Sequence, residues 1–235
     1  MRKLVQSIHH YCKKVKRARN IKRAKDKIAP YLKKDYGVEL NYKLWITKGA
    51  RFVASERNSD LERLSSKTVG YLSAYLIIVN LIHVYNIPYL EILSLVEVGF
   101  VTAALSILIL IYSQFENANK YSLKADRFHQ CGLEIGELYN DLRMAKTFSN
   151  ISDRETEIRR ISEKYDAVLK KYENHDSIDL KMFETAKPPY FELSRLGVRR
   201  IKAEKYFKVK FRYHLMIYGP FILFAVVKLY QMYGI

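Results

Sequence analysis

The sequence predicts an all-α membrane protein: a two-transmembrane helical hairpin with cytoplasmic helical regions before and after it. Three observations carry that prediction. Two charge-free apolar runs, residues 68–90 and residues 98–115, lie a short connector apart. Their flanks are basic, in a chain of 235 residues with 41 Lys+Arg against 24 Asp+Glu and a net charge of +17. Glycine and proline number only 9 and 5, too few for the turns of a many-stranded sandwich or barrel. Nearly half the residues are apolar, so the charge does not signal disorder.

The lead-in, residues 1–67, is basic and helical. Residues 1–34 hold 13 Lys+Arg with only Asp26 in opposition, and Leu4, Ile8, Tyr11, Val15 and Ala18 recur at 4-3-4-3. That is a basic amphipathic helix. It suits an anionic membrane surface or a phosphate backbone, which would make nucleic acid a partner through residues 1–34. A solvated charged face over an ordinary core stripe explains it as well.

Residues 68–115 form the hairpin. About 20 largely apolar residues cross a hydrocarbon core of about 30 Å, and both runs meet that length. A pair of buried helices in a soluble bundle is the alternative. Against it, residues 107–112 (ILILIY) are apolar on every face, whereas a soluble helix keeps a polar stripe. Asn86-Ile87-Pro88 supplies the turn, and Pro88 suits the first turn of the next helix.

Charge sets the orientation. Residues 1–67 carry 19 Lys+Arg and residues 116–235 carry 22, with none between; the connector's nearest charges are Glu91 and Glu97. Arg57, Arg63 and Lys67 precede the first span, and Lys120, Lys124 and Arg127 follow the second. Basic flanks stay cytoplasmic, so both ends of the hairpin are expected on the cytoplasmic side, with only a small loop outside. No signal peptide is expected, because the first apolar run begins only at Thr68.

Residues 116–212 read as a cytoplasmic helical region. Phe128, Cys131, Ile135, Leu138, Leu142 and Ala145 recur at 3-4-3-4-3, and Ile158, Ile161, Tyr165, Val168 and Tyr172 at 3-4-3-4. Between them lies a polar break at residues 147–151, with Ser152 and Glu155 spaced as a capping box. Two heptad-like stripes describe an antiparallel helical hairpin or a coiled-coil homo-oligomer. Cys131 sits on the stripe as a small buried hydrophobe. Residues 213–235 form an apolar C-terminal membrane-associated helix: residues 213–227 are uncharged apart from the break at Pro220, and seven Lys+Arg precede them from Arg199 to Arg212. It docks into or along the membrane, or crosses as a third span.

Chemistry-bearing motifs are few. There is no GxxxxGK[ST], GxSxG, HExxH or paired CxxC, and the two cysteines build no disulfide framework. Residues 45–49 (WITKG) lack the glycines of a phosphate loop. His9-His10-x-Cys12 needs ligands from elsewhere to hold a metal. His175-Asp176 reads as a helix boundary. No enzyme activity, metal or cofactor is expected.

The informative pattern is in the spans. At 100° per residue from Pro88, Glu91, Ser94, Thr102, Ser106 and Ser113 fall within an arc of roughly 120°, with Glu97 about 60° outside it on the Ser94 side. In the first span Ser73 and Asn80 share a face, with His83 adjacent. Lipid cannot hydrogen-bond such groups, so they face protein or water. Either they line an aqueous path built by several copies, or they pack the two helices of one hairpin.

The stretch YLKKDYGVELNYKLWITKGARFVASERN, followed by two spans and a long helical region, resembles the SLATT family over residues 25–235. Those are bacterial two-transmembrane effector proteins encoded beside nucleotide-signalling or reverse-transcriptase defence genes. Residues 172–179 (YENHDSID) and the apolar tail are most similar to the subgroup beside reverse transcriptases. The resemblance implies an oligomeric effector of antiviral defence that forms or gates a pore, disrupts the membrane when triggered, and kills or arrests the cell. It implies a reverse transcriptase or a nucleotide-signalling protein as partner, and transfers no catalytic residue. A membrane-anchored nucleic-acid binder and a non-conducting membrane scaffold are the rival readings.

Overall fold

The computed structural model describes residues 35–85, 87, 94–148 and 150–233. Among them every regular element is helical: α1 (Tyr36–Val84), α2 (Leu95–Ala118), α3 (Tyr121–Phe148), α4 (Ile151–Lys171), α5 (Ser177–Thr185), α6 (Arg195–Lys205), a π-helical turn (Tyr206–Lys210) and α7 (Phe211–Tyr233). The basic segment 1–34, with His9, His10 and Cys12, lies outside the described residues, as do Pro88 and Glu91.

α1 starts where Asp35 caps it: the Asp35 carboxylate accepts from the Gly37 N–H at 3.1 Å, and its carbonyl from the Val38 N–H at 2.8 Å. The helix then runs 49 residues without a break at residue 68. Its buried side is one stripe, Leu40, Leu44, Arg51, Ala54, Asn58, Leu61, Ser65 and Thr68. Near residue 70 the helix stops being packed along one stripe and becomes largely apolar and exposed. Tyr71, Ile77, Ile78, Leu81 and Val84 are all exposed.

α2 begins later than Pro88. Ser94 is its N-cap, with Ser94 Oγ accepting from the Glu97 N–H while the Glu97 carboxylate accepts from the Ser94 N–H at 2.8 Å. It ends at Asn119, and Lys120, at φ 50°, turns the chain into α3. The break between α3 and α4 falls where the polar stretch at 147–151 places it. α4 starts at Ile151, which sets Ser152 in the first turn rather than at the N-cap, because the Arg154 N–H already bonds the Asn150 carbonyl at 3.0 Å.

The chain divides into two compact units. One comprises residues through Ile46 with Ile135–Val168. Its core holds Leu40, Leu44, Ile135, Leu138, Leu142, Ala145, Ile158, Ile161 and Tyr165, so most of both heptad-like stripes is buried there, while Val168 is half-buried. Each such side chain contributes roughly 1.5–3 kcal/mol when fully buried. The Tyr36 hydroxyl meets Ser162 Oγ, and a Cβ at Gly37 would stand 3.0 Å from the Ile158 Cδ1.

The other unit is Thr47–Glu134 with Leu169–Ile235. Here Gly49 lets the Phe183 ring lie on the backbone of α1, and Gly132 does the same for Phe52 on α3. Three helical stretches, Tyr36–Val84, Leu95–Phe148 and Arg195–Gln231, are long and apolar enough to cross a membrane. The apolar windows within them are only 6%, 11% and 11% buried, so their side chains meet a solvent other than protein. Lipid is the medium that suits such a surface.

Candidate functional site

Thr102, Ser106 and Asn80 bond within their own helices. Thr102 is buried and donates to the Val98 carbonyl at 2.8 Å, and Ser106 Oγ donates to the Thr102 carbonyl at 2.7 Å. Asn80 donates to the Leu76 carbonyl at 2.8 Å. Such bonds to the preceding turn let a hydroxyl or amide sit in lipid or protein without a second partner. Ser94 and Glu97 are exposed and tied to each other in the cap, their side chains 2.7 Å apart. Ser113, Ser73 and His83 are half-buried. The structure therefore brings together Ser94 with Glu97 and Thr102 with Ser106.

α7 lies beside the apolar half of α1. Tyr75 donates its hydroxyl to the Ile217 carbonyl at 2.8 Å, and its ring meets Phe221 edge-on with centroids 4.9 Å apart. Pro220 sits inside α7 and lacks an N–H. A side-chain donor from a neighbouring helix close to such a break is how an interrupted helix is tolerated in lipid.

At the end of α2 lies a polar node. Glu116 is buried and accepts from the Tyr213 hydroxyl at 2.7 Å and from Arg212 at 3.1 Å. Arg212 also donates to the Tyr121 hydroxyl at 3.1 Å. Leu61, Val209 and Tyr213 pack beneath it with Leu64, Tyr112 and Tyr121 around them. Nearby, Lys210 pairs with Asp60 at 2.9 Å. Burial alone would raise the Asp60 carboxyl, but the bond to Lys210 together with the charges of Lys210, Arg63 and Lys205 outweighs that and holds it below the ordinary range.

The densest charge cluster lies where the connector from α4 to α5 meets α1. Arg51 is fully buried, donating to the Glu173 carbonyl and to Asn174 Oδ1, the latter at 3.2 Å. Its guanidinium also stands 5.7 Å from the Phe128 ring centroid. Two turns on, Arg57 grips Asp179 with two bonds, Nε to Oδ1 at 2.7 Å and a terminal nitrogen to Oδ2 at 3.0 Å, and reaches Asp176 at 2.6 Å. Asp179 is 1% exposed and also accepts from the Asp176 N–H at 3.0 Å, the start of α5. On the connector's other end, Tyr172 and Lys171 both donate to Glu134 at 2.6 Å. Two arginines of one helix thus clamp a five-residue connector through its carbonyl, amide and carboxylates.

The fields follow from this packing. Burial lowers the Arg57 guanidinium's proton affinity, but the bond to Asp179 together with the charges of Asp179 and Asp176 more than reverses that and holds it charged. Burial pushes the Cys131 thiol up, leaving it an inert core group. Burial and then the Arg51 charge press the His175 imidazole below its usual value, so it is neutral here. Among the described residues, Arg51 Nε and His175 Nδ1 are buried with no hydrogen-bond partner. No three His, Cys, Asp or Glu side chains among the described residues are placed to hold a metal ion.

Sequence reasoning did not single out this clamp, although Arg51 occupies a core position of the α1 stripe and so betrays a buried polar partner. His175-Asp176 does mark a helix boundary, with Asp176 as the N-cap of α5. The stretches WITKGARFVASERN and YENHDSID are the two halves of this contact. Residues 33–226, most of the chain, match a family model described as the SMODS and SLOG-associating 2TM effector domain family 5. No curated protein and no solved structure matches the chain.

Proposed function

This chain belongs to the SMODS and SLOG-associating 2TM effector domain family 5, and from that premise we propose that it is an oligomeric inner-membrane effector of bacterial antiviral defence whose clamp gates a permeation path. Its spans are α1 beyond Thr68 and α2, forming the hairpin with both ends cytoplasmic, and α7 enters the same bilayer beside α1. One chain cannot enclose an aqueous path, so several copies assemble one. The arc of Glu91, Ser94, Thr102, Ser106 and Ser113 lines it, with Glu97 at its mouth, and Ser73, Asn80 and His83 face the neighbouring helix.

The observation that carries this reading is the continuity of α1. The helix that holds Arg51 and Arg57 in the clamp continues without a break into the exposed apolar stretch after Thr68. A trigger that displaces the connector moves a rigid rod ending in lipid. To take such a gate from about 1% to about 99% open, the trigger must favour the open state by about 5.5 kcal/mol. Breaking the clamp in several subunits at once is an energy of that order. A reverse transcriptase or a nucleotide-signalling protein is the partner that supplies the trigger.

The test is induced expression of the full chain in bacteria carrying a membrane-potential dye, with fractionation in parallel. Depolarisation and growth arrest, with the chain in the membrane fraction, support the effector. A polarised, growing cell with a fully inserted chain overturns pore formation and leaves a non-conducting scaffold. Dye retained in liposomes reconstituted with the protein would overturn it equally, without the cell.

A further inference from the structure

The segment from α6 through the π-helical turn into α7 divides cleanly into two sides. Val198, Ile201, Glu204 and Lys205 are half-buried and turned inward, with Glu204 bound to Lys181 of α5 at 3.0 Å. On the opposite side Leu196, Arg199, Arg200, Phe207 and Phe211 are all exposed, Leu196 at 67% and Phe207 at 63%. Their spacing of i, i+3, i+4, i+11 and i+15 keeps them on one face. The π turn stretches the helix there without separating Phe207 from Phe211, whose ring centroids are 5.4 Å apart.

We propose that this face is a binding surface for anionic phospholipid headgroups, with Arg199 and Arg200 taking the phosphates and Leu196, Phe207 and Phe211 entering the acyl boundary. The inference rests on the membrane reading above and names which lipid the membrane must present. Three features select this occupant. Exposed arginines stand beside large apolar side chains, so their charged heads can reach phosphate while the apolar groups enter the acyl boundary. The face leads directly into the apolar residues that follow Arg212, so it sits at the level where headgroups begin. A second copy of the chain would set Arg199 and Arg200 against the same arginines, which like charge opposes.

Of the segment's other cations, Lys208 pairs with Glu204 at 2.8 Å, Lys210 with Asp60 at 2.9 Å and Arg212 with Glu116 at 3.1 Å. Lys205 is half-buried, and Arg195 and Lys202 are exposed but lie off this face. Arg199 and Arg200 are therefore the exposed cations that set the lipid preference of this face. Each cation near an anionic surface is worth roughly a fivefold preference, so the pair is worth about 25-fold.

The experiment reconstitutes the full chain in nanodiscs of mixed phosphatidylcholine and phosphatidylglycerol and measures, by native mass spectrometry, which lipid stays bound. The expected result is strong retention of phosphatidylglycerol that falls by about 25-fold in R199Q/R200Q, and partly in F207A, with insertion unchanged. Undiminished phosphatidylglycerol retention in R199Q/R200Q overturns the proposal while leaving the membrane reading intact. Loss of single-stranded RNA retention in R199Q/R200Q, with lipid preference unaltered, overturns it in favour of a nucleic-acid face. A chain that never enters the discs fails the membrane reading itself, and this proposal with it.

Discussion

Replacing Arg57 by alanine tests the clamp at its strongest point. Asp179 is 1% exposed, and the two Arg57 bonds at 2.7 and 3.0 Å are what compensate its charge. With the guanidinium gone, the carboxylate keeps only the Asp176 N–H at 3.0 Å. Orphaning a buried charge in this way costs about 3–5 kcal/mol. In a chain of this size each kcal/mol moves the melting temperature by about 2–4 °C, so Arg57→Ala should melt about 6–20 °C lower. Asp179→Ala should cost less, because Arg57 retains Asp176 at 2.6 Å, a residue whose side chain is 66% exposed. The double variant removes both charges and should cost less than the two singles summed, by about 2 kcal/mol. The assay is helical circular dichroism of the detergent-solubilised chain on heating. A shift under about 2 °C for Arg57→Ala, with strict additivity in the double variant, would mean that water reaches the pair and that α1 does not hold the connector.

Three further outcomes follow from the same geometry. Gly49→Ala places a methyl group in the Phe183 ring and should destabilise by about 1–3 kcal/mol, largely rescued by Phe183→Ala; equal melting of all three variants sinks the close approach. His175 is held neutral, so below its ordinary value of 6.5 the unfolded chain binds a proton that the folded imidazole refuses. Stability should therefore be level above pH 6.5 and decline as pH drops from there toward the lowered folded value, and His175→Gln should flatten that decline. Glu97→Gln keeps the cap on α2, since glutamine serves at that position, while removing the charge; cation passage should fall with insertion and helix content unchanged, and an identical leak in Glu97→Gln and Glu91→Gln removes the acidic mouth.

Much of the architecture was legible because it is written locally. The stripes of α3 and α4 are buried at every position from Phe128 to Tyr165 that the 3-4 spacing named, since a helix repeats its faces whatever it packs against. The break after Phe148 follows from polar residues that compete for the backbone. The start of α2 was less legible. Pro88 suits a first turn, yet the helix is capped at Ser94, where two side-chain bonds with Glu97 fix its entry. The same cap accounts for Ser94 and Glu97 without any pore. Helix-internal bonds likewise account for Thr102 and Ser106, which is why an arc on a helical wheel identifies polar residues but not their partner.

By itself the sequence determined that these helices form and which stretches are apolar enough to cross a membrane, because hydrophobic transfer adds up residue by residue along a run and needs no knowledge of neighbours. Only the tertiary structure decided that Arg57 answers Asp179 across 122 positions, that Arg212 and Tyr213 answer Glu116, and that α7 leans on α1 through Tyr75. A charge in a sequence records a demand for compensation, and nothing in its local neighbourhood says which distant residue meets it. That choice is made when the chain closes and water is expelled between the helices.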